Sequence, residues 1–280
     1  MTFDRRTIVT GLAATLGAAG LAKAAERNGR APTTMKDWDA MFHTGAVPGP
    51  LACIAATQMT EGPFYAESSL QRRAIAEKLP GVPLRLGITL GGIAREEGRC
   101  FPVPGAVVDI WHTSAAGLYS NVGADLQPVD TTGQTFMRGH QFTDQNGYVE
   151  FDTIVPGWEM VAAHPGVSVP GIPAVVAARR TTHIHVKAFH DREVMTTQLF
   201  FPDALMDQLY AEVEPYRSHQ MLSAPGLDRP YPRIHNAEDR FFNEAKAKPV
   251  TVEKVNGVMT AKVTLGVLSQ GDRGFRTLWR

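Results

Sequence analysis

The run Asp144-Gln145-Asn146-Gly147-Tyr148-Val149-Glu150-Phe151-Asp152-Thr153-Ile154 constrains the fold more than any other part of the chain. Asn-Gly readily takes the positive φ angles of primed turns, so 144–147 predicts a hairpin turn. Beyond it, Tyr148, Glu150 and Asp152 alternate with Val149, Phe151 and Thr153, the two-residue period of a strand with one wet and one buried face. The same pattern recurs from Pro83 onward. Short apolar segments at 84–90, 106–111, 183–189, 194–201, 250–255 and 258–268 are separated by turn residues, and Asn256-Gly257 marks a second hairpin. Thr60-Glu61-Gly62-Pro63-Phe64-Tyr65 predicts a Gly-Pro loop entering a strand. Two helices are expected: one capped by Asp203, with Leu205, Leu209 and Val213 at helical spacing, and a short one over 237–247 behind an Asn236 cap. The sum is an all-β protein, an antiparallel β-sandwich with a few short peripheral helices, whose binding residues come from loops and strand ends.

With 280 residues and 44% hydrophobic composition, the chain can bury one sizeable core. Its formal net charge is zero, which gives nucleic acid or an anionic membrane no basic field to bind. Residues 1–25 read as an export signal. Arg5-Arg6 precede a weakly apolar run too short to span a bilayer, and Ala22-Lys23-Ala24 resembles a cleavage site. The paired arginines resemble a twin-arginine signal, which places the mature protein in the periplasm or outside the cell without a membrane anchor. Residues 26–50 read as an arm or linker with a short helix near 35–42, residues 51–270 as the domain, and 271–280 as a tail. Only Cys53 and Cys100 are present, and an oxidising compartment allows them to pair. That closure is worth roughly 4 kcal/mol in the chain-entropy picture.

The chemistry points first to Thr182-His183-Ile184-His185-Val186. In a strand, side chains at i and i+2 leave the same face, so two imidazoles about 7 Å apart at Cα can converge on one ion. With two cysteines in all, such an ion is held by nitrogen and oxygen donors. Arg180 lies just upstream, Gln198 lies on the next strand, and Gly117-Leu118-Tyr119-Ser120 offers a phenol on a loop.

Several segments taken together resemble the intradiol ring-cleavage dioxygenases, especially their exported, single-chain branch. They are Cys53 with Thr60 to Tyr65; Cys100-Phe101-Pro102 through Asp109-Ile110-Trp111-His112; Gly117-Leu118-Tyr119-Ser120; Arg138-Gly139 with Gln141 and Thr143-Asp144; Gly147 through Gly157-Trp158; Arg180 through Val186; and Thr197-Gln198 through Phe201-Pro202. The resemblance implies a β-sandwich holding non-haem ferric iron, Fe(3+), that cleaves a small aromatic diol between its hydroxylated carbons with O2. It further implies that Tyr119, His183 and His185 are metal ligands, that Arg180 steadies an anionic intermediate with Arg179 as the adjacent rival, and that Gln198 lies beside the substrate.

The chain departs from the family at one ligand. Where relatives carry Pro-Gly-x-Tyr, with that tyrosine the labile ligand and base, this chain has Pro156-Gly157-Trp158-Glu159, followed by an insertion at 160–178. Three residues could fill the gap: Glu159 as an anionic oxygen ligand and base, His164 inside the insertion, or Tyr65 reaching in beneath a lid. Two other readings remain open. One is a non-catalytic aromatic- or metal-binding sandwich, and the other a two-histidine, one-carboxylate metalloenzyme built on His183, His185 and Glu159.

Overall fold

A computed structural model describes residues 54–67, 70–94, 99–162, 175–177, 180–190, 193–218 and 233–268. The expected export signal, the arm, the helix near 35–42, the tail, Cys53, His164 and Arg179 lie outside the described residues. Cys100 is disulfide-bonded.

Twelve described strands make two facing sheets and a small ribbon. They are β1 (Ile54–Ala55), β2 (Pro83–Ala94), β3 (Arg99–Pro102), β4 (Val107–Trp111), β5 (Arg138–Phe142), β6 (Tyr148–Ile154), β7 (Met160–Ala162), β8 (Val175–Ala177), β9 (His183–His190), β10 (Glu193–Phe200), β11 (Val252–Val255) and β12 (Val258–Leu268). One sheet is centred on β2 and β12. β6 and then β3 line the far edge of β2, and β11 and β1 line that of β12. The other sheet runs β10-β9-β4-β5, all antiparallel. The ribbon is β7 with β8, so the two ends of the insertion pair with each other.

Between the sheets lies the core that the two-residue period calls for. Leu84, Leu86, Ile88 and Leu90 of β2 face Ile110 of β4 and Ile184 of β9, all 1% exposed or less. Burying each such side chain contributes about 1.5–3 kcal/mol. Two buried tyrosines anchor the loops at one end. Tyr216 accepts from Val82 N and donates to Val155 O, and Tyr210 donates to Pro156 O.

The all-β sandwich is therefore present, with four corrections. First, the larger sheet is mixed: β12 runs parallel to both β2 and β1. Strands distant in sequence can neighbour one another in either direction, which local patterning does not reveal. Second, 144–147 is a turn but joins no hairpin, because β5 and β6 belong to different sheets and the turn carries the chain across the sandwich. Gly147 has φ +72°, and a Cβ there would collide with the Leu90 carbonyl and come 3.0 Å from Val103 N. Asn256-Gly257, by contrast, does close a two-residue hairpin, with φ of 50° and 84°.

Third, the first helix, α1 (Asp203–Glu212), has Pro202 rather than Asp203 at its N-cap. Pro202 holds an extended conformation that a helix can only follow, and the Asp203 carboxylate instead pairs with Arg233 at 3.0 Å. Its buried stripe is Met206, Leu209 and Tyr210, while Leu205 and Val213 are only partly buried. Fourth, the second helix is shorter, α2 (Arg240–Glu244), and follows a single 3-10 turn, Asn236–Glu238. Asp239 caps it by accepting from Phe241 N and Phe242 N, while Asn236 turns inward to donate to Phe201 O.

His112 ties the two sheets together just beyond β4. Its Nδ1 meets Thr113 O and its Nε2 meets Thr153 Oγ1 of β6, each at 2.8 Å. Burial, opposed by the Thr113 bond and assisted by Arg138, lowers its pKa to about 4. The unfolded chain therefore takes up the proton first. Stability from this group is complete above the ordinary histidine value near 6.5 and is lost as pH falls toward 4. We expect the stability advantage of wild type over His112→Gln, measured by urea unfolding, to shrink by about 3 kcal/mol across that window. An advantage that does not change with pH would refute this account.

Candidate metal centre

The outer face of the β10-β9-β4-β5 sheet holds the site, because the two-residue period that sends Ile184 and Val186 into the core sends His183 and His185 the other way. Cross-strand register builds a row on that face: Arg138 of β5 pairs with Trp111 of β4, Trp111 with His185 of β9, and His185 with Gln198 of β10. Such facing pairs hold side chains in contact. The Trp111 indole stacks on the His185 ring at 4.6 Å and 6°.

Three donor atoms converge here. Tyr119 Oη lies 3.3 Å from His185 Nε2, and His185 Nε2 lies 3.0 Å from His183 Nε2. All three residues are 4% exposed or less. His183 Nδ1 donates to Thr181 O at 2.7 Å, which fixes the tautomer and leaves a lone pair on Nε2. His185 Nδ1 is buried with no hydrogen-bond partner. Burial first keeps both imidazoles neutral; Arg180 adds to this for His183, and for His185 the cost of a second charge beside His183 and then Arg180 add to it. Burial followed by Glu159 keeps the Tyr119 phenol protonated, against the opposite pull of Arg180 and Arg138. Among the described residues no group of three or more His, Cys, Asp or Glu side chains clusters for a metal. The third donor here is a phenol, and a hard cation such as Fe(3+) accepts phenol oxygen and imidazole nitrogen together. Lone pairs crowded this closely in a buried space fit a cation set between them.

The loops that deliver these groups are tied by backbone contacts. Tyr119 N donates to Gln127 Oε1 at 3.0 Å, and its carbonyl accepts from Gln127 Nε2 at 2.9 Å and Thr131 Oγ1 at 2.7 Å. Ser120 Oγ accepts from Arg138 Nε at 2.9 Å, and Phe64 packs on the Tyr119 ring at 4.8 Å. The Glu159 loop is stitched to the Tyr119 loop at Gly157, whose N–H donates to Ser114 O and whose carbonyl accepts from Thr113 Oγ1 at 2.6 Å. Glu159 is half-buried, and its carboxyl is pushed up to about 7, by desolvation first and then Asp239, against the opposing pull of Arg180. Tyr65 points elsewhere. Its hydroxyl donates to Asp109 Oδ2 at 3.4 Å, and its ring packs on Trp111 and beneath Lys187.

Arg180 is held on three sides. Its Nε donates to Asp239 Oδ2 at 2.9 Å, its Nη2 bonds Gln198 Oε1, and its guanidinium lies 4.5 Å from the Phe241 ring. Gln198 in turn donates to Thr60 O at 2.9 Å. Sequence reasoning brought Tyr119, His183, His185, Arg180 and Gln198 to one region, but missed Asp239, Gln127, Thr131 and Trp111. Asp239 is a buried carboxylate beside an aromatic pair, a position with no motif of its own. Gln127, lying among polar loop residues, reads as surface.

Gly157 is the tightest point of this arrangement. A Cβ there would strike the Ala115 carbonyl and lie 2.9 Å from Gly117 N. Gly157→Ala is therefore expected to cost about 1–3 kcal/mol and to move the Tyr119 and Glu159 loops apart. Urea unfolding checks the first effect, and a variant as stable as wild type would show that the loops can yield there.

A family model described as "Dioxygenase" matches residues 60–243. The chlorocatechol 1,2-dioxygenase of Rhodococcus opacus is 27% identical over 170 residues, which is 59% of this chain and 59% of that relative. The match thus spans less than two thirds of the relative's length. An intradiol ring-cleavage dioxygenase from Tetranychus urticae has a similar fold, with a TM-score of 0.57 and 24% identity over 76% of this chain and 94% of its own. With the sandwich and the matching segments already in place, the chain belongs to the intradiol ring-cleavage dioxygenase family.

Proposed function

We propose that this protein cleaves a catechol-type aromatic between its hydroxylated carbons with O2, on a ferric iron held by Tyr119, His183, His185 and Glu159. The observation that carries the reading is the convergence of Tyr119 Oη, His183 Nε2 and His185 Nε2. Ferric iron bound among them would supply the Lewis acidity that lets a catechol dianion chelate and become reactive toward O2.

Each residue's task follows from its chemistry and place. The imidazoles are already neutral, so neither must lose a proton before donating its lone pair. Tyr119 supplies the hard anionic oxygen that favours a ferric over a ferrous ion. Glu159 follows Pro156-Gly157-Trp158 where the family resemblance expects a labile tyrosine, and burial, which raises its carboxyl with the site empty, favours its taking up a proton from a catechol hydroxyl. Arg180 holds its charge in a fixed position for an anionic ring. Trp111 and Phe64, packed over His185 and Tyr119, exclude water from the donors. The phenol favours this reading over a two-histidine, one-carboxylate site, which has no use for Tyr119. The paired arginines Arg5-Arg6 support export to the periplasm or beyond.

Metal analysis and visible spectroscopy of the purified protein test the proposal. We expect about one iron per chain, in keeping with one cluster of donors, and a phenolate-to-iron charge-transfer band that shifts when catechol is added without oxygen. Tyr119→Phe is expected to abolish that band. Glu159→Ala is expected to lower turnover by about 100-fold or more, as for loss of a general base. A colourless protein that ignores catechol would sink the proposal, and a fully active Glu159→Ala variant would remove Glu159 from it.

A further inference from the structure

We propose that Asp239 is a positioning residue for the reaction, fixing both the charge of Arg180 and the orientation of His183 from a single buried carboxylate. This rests on the function proposed above, in which Arg180 faces the substrate and His183 binds the metal.

Asp239 has no exposed surface and spends both of its oxygens. Oδ1 accepts from Phe241 N at 2.8 Å and Phe242 N at 3.0 Å, capping α2. Oδ2 accepts from Arg180 Nε at 2.9 Å and from Thr181 N at 2.8 Å. Two consecutive residues of the segment leading into β9 are therefore held by one atom. The carbonyl of Thr181 then receives the His183 Nδ1 proton, so the position of Thr181 sets the imidazole's direction. Asn236 secures the same segment from the preceding turn, accepting from Thr181 Oγ1 at 2.9 Å.

A cap alone needs no charge, since asparagine and serine cap helices as well as aspartate. A negative charge at this point matters because a half-buried guanidinium is held in place by a paired, hydrogen-bonded carboxylate. Phe241 completes the arrangement: the helix that Asp239 caps lays this ring against the Arg180 guanidinium. The carboxylate and the helix it starts thus grip Arg180 from two directions. Gln198 takes the remaining edge, leaving the side chain little freedom.

Asp239→Asn separates the two roles, because it keeps a capping oxygen and removes the charge. In the metal-free protein, modification of Arg180 by phenylglyoxal, mapped by mass spectrometry, should be several-fold faster in Asp239→Asn than in wild type. An unchanged rate would overturn the proposal without involving iron or substrate. In the iron-loaded protein we expect unchanged iron content and a kcat lower by about 10- to 100-fold, the range for a displaced catalytic group. The loss should be several-fold smaller in an Arg180→Met background, since the part that acts through Arg180 is gone and only the part carried by Thr181 to His183 remains. An equal loss in both backgrounds would show that none of the effect passes through Arg180 and would overturn the proposal. Should Asp239→Asn fail to fold, Asp239→Ser keeps a capping oxygen without the charge, and wild-type labelling and turnover in that variant would equally overturn the proposal. If wild type itself shows neither iron nor turnover, the proposed function fails, and the labelling rate still decides whether Asp239 pins Arg180.

Discussion

Strand β9 serves two environments at once, and the rest of the molecule is arranged around that demand. Ile184, Val186 and Ala188 fill the core between the sheets, and the pleat then forces His183 and His185 to the opposite face. A face bearing two imidazoles would ordinarily be wet. Here both imidazoles are buried, which obliges other parts of the chain to cover them and to satisfy their polar atoms.

Covering is done by loops, and the loops are held by backbone bonds rather than by their own apolar content. Phe64, Trp111, Tyr119 and Val122 form a second, smaller hydrophobic cluster on this face, separate from the main core. Gln127 and Thr131 clamp the Tyr119 backbone, Gly157 joins that loop to the one bearing Glu159, and Tyr210 links Pro156 O to the Thr182 hydroxyl. Precision of this kind suits a metal centre, where donors must wait in place before the ion arrives. It also fixes the backbone from which Glu159 extends. The Pro156-Gly157 turn is fixed by the 113–117 loop, whatever residue follows Trp158.

Electrostatics in the site is a balance struck within a few residues. Arg180 draws the titration of Glu159 down while Asp239 draws it up, and both act on His183 as well. The Asp239 carboxyl is itself raised by burial, but Arg180 and the backbone donors of Phe242 and Thr181 outweigh this and hold it below its ordinary value. It therefore stays ionised at neutral pH, which is the state that can hold a guanidinium.

Much of this was legible from local pattern. The two-residue alternation at 148–154 marked β6, and Asn256-Gly257 marked a true hairpin because a type I′ turn depends only on residues adjacent in the chain. The shared face of His183 and His185 follows from the same local geometry. What the sequence could not determine rests on contacts between distant segments. Asp144 to Gly147 has the same turn chemistry as the hairpin, yet whether the strands it joins pair is decided by which sheet each enters. The polar strand β5 exists because β4 needs a partner, and it buries Arg138 against Ser120 and Phe64. Asp239 looks like an ordinary acidic residue until folding carries it across 59 positions to Arg180. Sequence by itself determined the strands with clear alternation and the shared face of His183 and His185, because backbone periodicity is local. Tertiary structure alone decided which donors meet and which charges hold them, because those depend on sheet order and on water being excluded.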